Sequence, residues 1–363
     1  MPCRLQLRAV VALVALLVLA GTALRVSSLS PDGLLSLELC GSLYTLHGIA
    51  GLIAAPAFAV LCLVSFQRAD WISAIAVLGI YGGAIAVLGG APAQVITAFV
   101  SVSYVAAGAS LARTARSSVG FTFAPWGLAG ASAGLFVGSS ALLLGWPGLL
   151  ESLIQALSAC AVVLGSETAT RRPISRFVLS IYALAFAVST VAAADLGFVS
   201  GLVLPMASVA LAGSAWRAAS ATQPWTRGLL RIAALLFGQA AVLRGILSAF
   251  EPAHPIHHTL FPVGVHHAEW FALTSAVLSL PGRVPNRPGS VRGPLLFGVG
   301  AHVMCWSFVE LGRRGMPARF VSYLPEFQPM QILITLASLT TVTGLAWIGI
   351  TFTSMETTLD KER

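Results

Sequence analysis

Residues 329–353, PMQILITLASLTTVTGLAWIGITFT, form an uncharged and mostly apolar run near the end of the chain. A helix rises about 1.5 Å per residue and the hydrocarbon core of a bilayer is about 30 Å thick, so about 20 apolar residues span it. This run is long enough to cross a membrane once. Because it has no charged face to offer to water, it predicts a transmembrane helix rather than a surface helix of a soluble domain.

The rest of the chain has the same character. Of its 363 residues, 57% are hydrophobic and 9% are charged, whereas a soluble domain carries about 25% charged residues. Apolar runs that end at Pro, Gly or Arg predict about twelve spans. We therefore expect one all-α polytopic membrane domain over residues 1–363, without a water-soluble catalytic domain. The spans lie near residues 6–24, 42–65, 71–90, 92–113, 122–145, 147–165, 175–195, 197–217, 227–250, 259–281, 293–312 and 329–353.

The arginines predict how this domain is oriented. Lys361 is the only Lys, so the net charge of +8 comes almost wholly from Arg. Cytoplasmic loops collect Arg and Lys, which explains this charge without a nucleic-acid partner. We expect a plasma-membrane protein with both termini in the cytoplasm and with its first span retained as an anchor. The loop arginines then assigned to the cytoplasm are Arg68, Arg113, Arg116, Arg171, Arg172, Arg176, Arg217, Arg227, Arg283, Arg287 and Arg292.

One external loop breaks this pattern. The last loop on the outer side carries Arg313, Arg314 and Arg319, while the other external loops carry acidic residues and almost no Arg. Arg and Lys are usually rare in external loops. We therefore predict that these three external arginines pair with a bound anion.

Two of the seven histidines occupy matching positions in different spans. His47 lies about five residues into the second span and His267 about eight into the tenth, and both spans run from outside to inside. Two imidazoles at one depth can ligate a heme iron from its two faces. The positions alone also allow an alternative, in which both are buried imidazoles hydrogen-bonded to their neighbours.

Three motifs resemble subunit I of the heme-copper oxygen reductases, the cytochrome c oxidase family. Residues 43–48, LYTLHG, resemble the Thr-x-His-Gly motif of its second helix, which supplies a low-spin heme ligand. Arg25 with the following Pro-Asp-Gly resembles the segment after its first helix. Residues 315–320, GMPARF, resemble the Gly-Met-Pro-Arg-Arg-Tyr segment that precedes its last helix. The resemblance implies that Arg25 and Arg319 contact the heme, Arg319 near the propionates together with Arg313 or Arg314.

The tenth span extends this resemblance. Residues 257–267, HHTLFPVGVHH, resemble the family's His-Asp-Thr-Tyr-Phe-Val-Val-Ala-His-Phe-His. Without gaps, His267 falls on the low-spin ligand and Val265 on the high-spin ligand. His266 lies one residue from either position, and a slip of one residue would make it the ligand instead. Both His266 and His267 therefore remain candidates.

The copper side departs from the family. Trp146 stands where a copper ligand belongs, Leu150 stands where the family has its cross-linked tyrosine, and residues 175–204 contain no His. Copper at such a site needs imidazole nitrogen, so we expect neither copper nor a high-spin heme. We do not expect reduction of oxygen to water.

The expected function is electron transfer in a respiratory chain through one low-spin heme, of the b type, held between His47 and His267. The lipid bilayer surrounds the protein. Its expected partners are other respiratory subunits, or a quinol or cytochrome that donates electrons. One alternative is a heme-free scaffold or transporter, for which the ionisable residues inside the spans argue. The other is an active oxidase with displaced ligands. The transport alternative rests on the ionisable residues Arg231, Arg244, Glu151 and Glu269. The oxidase alternative would use His254, His257, His258 or His266 as copper ligands.

Overall fold

The computed structural model describes the chain as a bundle of helices. It describes residues 2–27, 29, 35–36, 38–44, 46–48, 71–117, 147–170, 174–191, 197–250, 259–279, 291–317 and 325–359. Within these residues the β-structure consists of one isolated antiparallel bridge between Thr259 and Pro317. The predicted span 122–145 and most of the span 42–65 lie outside the described residues.

Eleven helices follow one another along the described part of the chain. They are α1 (Pro2–Ser27), α2 (residues 38–44 and 46–48), α3 (Trp71–Leu88), α4 (Ala93–Ser117), α5 (Pro147–Thr170), α6 (Arg176–Val191), α7 (Gly197–Ala219), α8 (Pro224–Phe250), α9 (Phe261–Ser279), α10 (Arg292–Arg313) and α11 (Gln328–Leu359). A short 3₁₀ turn, Pro325–Phe327, leads into α11.

In the part of the chain that the structure describes, four segments are long and apolar enough to cross a membrane. These are Leu202–Ala219, Pro224–Leu247, Arg292–Arg313 and Pro325–Thr351, and five shorter apolar helical segments accompany them in the described residues. The prediction of an all-helical membrane protein is therefore confirmed in its coarse form. The number of twelve crossings stays a prediction.

The bundle exposes apolar side chains on its outer surface. Phe177 is 72% exposed and Leu78, Leu184 and Ile350 are each 67% exposed. Water would penalise such a surface, whereas the hydrocarbon tails of lipids do not. The outward side chains thus fit a protein whose surrounding solvent is lipid.

Helix α9 lies at the centre of the bundle. It packs against α5, α8 and α10, and every residue from Phe271 to Ser279 is buried. The crossing with α10 is close because Gly264 has no side chain: a Cβ atom there would lie 2.7 Å from the backbone oxygen of Cys305. Small residues let membrane helices approach closely in this way. The resulting van der Waals contacts hold the helices together, because the hydrophobic effect does not drive association between helices in lipid.

The helices define two ends of the bundle. At the first end, the start of α9 meets the end of α10, where the N–H of Leu260 donates to the carbonyl of Met316 at 2.9 Å. The end of α1 lies here too, with the Arg25 guanidinium 5.1 Å from the centre of the Phe308 ring. At the opposite end, the last turns of α5 and α9 approach the start of α8. The approach is close at Gly165 of α5, where a Cβ atom would lie 3.1 Å from the side chains of Leu230 and Ser279.

Replacing Gly264 by Ala is expected to destabilise the bundle by about 1–3 kcal/mol, the usual cost of overpacking a close contact. The matched control is Gly213→Ala on α7, because nothing lies within 4 Å of a Cβ atom at that position. Thermal unfolding of both variants in detergent would measure the difference. Equal melting temperatures for the two variants would show that the α9–α10 crossing tolerates a methyl group.

Candidate functional site

The structure brings His47 and His267 together. His47 lies on α2 and His267 on α9, and their ring centroids are 5.7 Å apart with an angle of 29° between the ring planes. These two residues are far apart in sequence, so their proximity comes from the folding of the bundle. They are the two histidines that the sequence placed at matching depth.

Each of the two rings is held by a backbone carbonyl. The Nδ1–H of His47 donates to the oxygen of Leu17 on α1 at 3.0 Å. The Nδ1–H of His267 donates to the oxygen of Val263, one turn earlier on α9, at 2.7 Å. A carbonyl oxygen can only accept, so both neutral rings carry their proton on Nδ1 and leave Nε2 with a free lone pair. This is the arrangement that metal-ligating histidines use.

The two rings lie close enough to bind one metal ion together. Metal–imidazole bonds of about 2 Å on either side would place the two ring centroids about 6 Å apart if both Nε2 atoms pointed at the metal. The observed separation of the centroids is 5.7 Å. No group of three or more His, Cys, Asp or Glu residues suited to a metal occurs in the described residues. Two protein ligands suit a metal that brings its other ligands with it, as the iron of a heme does.

Aromatic and small residues surround the histidine pair. The Phe308 ring of α10 lies 5.0 Å from the His267 ring, and the Phe271 ring lies 6.1 Å from it. On the other side, α1 passes close to His47 at Gly21, where a Cβ atom would lie 2.8 Å from Cε1 of the imidazole. Sequence reasoning missed Phe308 and Gly21. Neither stands in a motif, and a lone glycine in an apolar span is a weak signal.

Among the predicted cationic residues that the structure describes, Arg25 lies near the pair. Its guanidinium lies over the ring of Phe308, which in turn contacts His267. Arg313 and Arg314 lie at the same end, but both bind the carboxylate of Glu310, with Nε–O distances of 2.7 Å each. Arg319 lies outside the described residues. The predicted role of Arg313 or Arg314 beside the propionates therefore competes with a local ion pair.

His266 turns away from His47. Its Nδ1 lies 3.6 Å from a carboxylate oxygen of Glu269, one turn later on α9. Neighbouring helical residues point about 100° apart, so His266 and His267 face different helices. In this structure His267 is the histidine of α9 that faces His47.

Glu269 and Arg244 form a bidentate ion pair inside the bundle. Arg244 Nε donates to Glu269 Oε1 at 2.6 Å and Nη2 donates to Oε2 at 2.8 Å. Glu269 is 1% exposed and Arg244 is 19% exposed. The backbone oxygen of Glu269 also accepts a hydrogen bond from Ser158 of α5 at 3.0 Å. The pair ties α8 to α9, so these two charges have a structural role that needs no transport pathway.

The other sequence candidates are placed elsewhere or are not described. His302 is half-buried on α10 and meets Trp306 edge to face at 6.3 Å. Arg231 donates to Ser220 at 3.1 Å at the opposite end of the bundle. His254, His257, His258 and Trp146 lie outside the described residues, and the side chains of Leu150 and Glu151 are also outside them. The predicted absence of a copper site therefore stays a prediction.

No model of a known protein family matches this sequence, and no curated protein matches it.

The variant Glu269→Gln is expected to lower the melting temperature in detergent, because it leaves the charge of Arg244 without its partner in an apolar interior. Breaking a buried pair costs about 3–5 kcal/mol, and the partial exposure of Arg244 favours the lower part of this range. Thermal unfolding would measure it. In the double variant Arg244→Met with Glu269→Gln no unpaired charge remains, so part of the stability should return. A double variant less stable than the single one would contradict this account of the pair.

Proposed function

We propose that this protein binds one low-spin heme of the b type between His47 and His267 and uses it to transfer electrons within a membrane. The observation that carries the proposal is the pair of imidazoles 5.7 Å apart, each with its Nδ1 on a backbone carbonyl. A bound heme would supply reversible one-electron oxidation and reduction of its iron.

The residues around the pair have distinct roles in this proposal. His47 and His267 would hold the iron through Nε2, while the carbonyls of Leu17 and Val263 fix the orientation of the rings and raise their basicity. Phe308 and Phe271 keep water away from the His267 side. An apolar shell of this kind tunes the redox potential of a metal site.

Arginine side chains would hold the carboxylates of the cofactor. Arg25 brings a positive charge to the Phe308 side of the histidine pair. By resemblance to the heme-copper oxygen reductases, Arg319 takes the same role near the propionates. Arginine suits this task because its planar guanidinium binds a carboxylate through two parallel hydrogen bonds.

The same resemblance supports a place in a respiratory chain. The order of the motifs around His47, His267 and Arg319 supports membership of the subunit I family, and a quinol or a cytochrome would donate the electrons. With both His47 and His267 bound to it, the iron would have no position left for oxygen, so the proposed role is electron transfer and not oxygen reduction. Arg217, Arg227 and Arg231 at the opposite end support a cytoplasmic location for that end in the plasma membrane.

Both ligand variants, His47→Ala and His267→Ala, are expected to abolish a low-spin heme spectrum, because each removes one of the two imidazoles that would hold the iron. A dithionite-reduced minus oxidised visible spectrum of the detergent-purified protein measures this. The control His266→Ala is expected to retain the spectrum, since His266 turns toward Glu269.

Carbon monoxide separates the proposal from an active oxidase. A band unmoved by carbon monoxide supports two histidine ligands. A shifted band would reveal an open iron position and would favour an oxidase. A purified, folded protein that never shows heme absorption would leave the heme-free scaffold or transporter instead.

The variant Gly21→Val is expected to weaken heme binding without removing a ligand. Its side chain would occupy the space of the His47 ring, since even a Cβ atom at position 21 would lie 2.8 Å from Cε1. Gly41→Val on α2 is the matched control, because nothing lies within 4 Å of a Cβ atom there. The heme-to-protein ratio after purification measures the effect. Equal ratios for the two variants would mean that α1 does not position His47.

A further inference from the structure

A cavity of about 260 Å³, lined by polar and apolar residues, opens at the opposite end of the bundle. It lies between the end of α5, the start of α6 and the end of α7, far from the two histidines. One water in the liquid occupies about 30 Å³, so the cavity has room for a group of several heavy atoms. Its lining consists of Thr170, Ile174, Ser175, Ser214, Arg217, Ala218 and Ala221.

The lining carries the chemistry that binds a phosphate. Arg217 supplies a guanidinium and Ser175 and Ser214 supply hydroxyl groups, whereas the Thr170 hydroxyl already donates to the backbone oxygen of Ser166 at 2.7 Å. Ser175 directly precedes α6, whose first backbone N–H groups have no partners within their own helix. Guanidinium, hydroxyl and helix N-terminal N–H groups together favour an oxyanion.

The carboxylate near this cavity is already engaged. Glu167 lies one turn before Thr170 on α5 and is 3% exposed. Its Oε1 accepts a hydrogen bond from the backbone N–H of Ile174 at 3.1 Å. Glu167 thus fixes the connection that forms one wall of the cavity, and its carboxylate is turned to the backbone.

The surroundings of the cavity fit the edge of a membrane. Phe177, Ile181 and Leu184 of α6 are exposed and recur at helical spacing, so they share one outer face of that helix, which suits contact with lipid tails. Trp216 of α7 is exposed next to Arg217, and the guanidinium of Arg231 lies 5.1 Å from its ring. Trp and Arg together are typical of the boundary between hydrocarbon and head groups.

We propose that this cavity binds the phosphate group of an anionic phospholipid. The cavity alone would suit free phosphate as well. Trp216 and Arg231 beside Arg217 favour the lipid, because these residue types are typical of the level at which phospholipid head groups lie. Basic pockets between membrane helices bind anionic head groups in this manner.

Native mass spectrometry of the full-length protein in detergent tests the proposal with phosphatidylglycerol as the probe. The variant Arg217→Gln is expected to weaken the lipid adduct about tenfold or more, as the loss of one charge-assisted hydrogen bond does. Arg292→Gln is the matched control, since Arg292 is exposed at the start of α10, at the same end of the bundle but outside the cavity. The control is expected to bind the lipid as the unaltered protein does.

A second variant removes the cavity instead of the charge. Ser214→Phe keeps Arg217 and fills the space between α5 and α7, so it is expected to weaken the adduct as well. Phosphatidylcholine, which has a phosphate but no net charge, is expected to bind more weakly than phosphatidylglycerol. Equal binding of the two lipids, or an adduct unchanged in both variants, would overturn the proposal.

Inorganic phosphate distinguishes the two sources of the ligand. Inorganic phosphate at matched ionic strength is expected to leave the lipid adduct in place. If millimolar phosphate displaced the lipid, and if this displacement did not occur in Arg217→Gln, the cavity would be assigned to free phosphate. That outcome would overturn the proposal of a lipid ligand. The heme spectrum is expected to be the same in all these variants, because the cavity and the histidine pair lie at different ends of the bundle.

Discussion

Polar side chains inside a bilayer must find their partners within the protein, because hydrocarbon offers no hydrogen bonds. This constraint explains how the centre of the bundle is built. His47 binds the carbonyl of Leu17, and His267 binds the carbonyl of Val263. Glu269 binds Arg244. These contacts join α1 to α2 and α8 to α9, so the groups that are most costly to bury also fix how the helices meet.

Close helix packing is the second condition for the histidine pair. Gly21 lets α1 approach His47, and Gly264 lets α9 approach α10. The first approach leaves room for the His47 ring beside α1, and the second brings Phe308 of α10 within 5.0 Å of the His267 ring. The Nδ1 hydrogen bonds then set the tautomer that leaves both Nε2 atoms for a metal. An arrangement that satisfies ordinary buried imidazoles is therefore also the arrangement that a heme iron needs.

The two ends of the bundle differ in the chemistry that they offer. The first end combines the histidine pair with aromatic rings and Arg25, which suits a large planar cofactor with carboxylates. The opposite end combines Arg217 and hydroxyl groups with an exposed apolar face of α6, which suits a lipid. The ion pair between Glu269 and Arg244 lies within the bundle and holds helices. Of these charges, the pair Glu269–Arg244 joins helices in the structure, while cofactor binding at the first end and lipid binding at the opposite end are the roles that we propose.

The sequence by itself determined that this is a helical membrane protein, and it predicted that two of its histidines lie at one level. Apolar length and the fixed rise of a helix predict membrane helices, and the same rise places His47 and His267 at one level. The rotation of each helix about its axis depends on contacts with helices distant in sequence, so only the tertiary structure decided which side chains meet. In the structure His267 faces His47, while His266 lies beside Glu269. Glu269 pairs with Arg244. Arg313 and Arg314 both pair with Glu310. The tertiary structure also set Gly21 against His47 and formed the cavity beside Arg217, because both depend on how closely neighbouring helices approach.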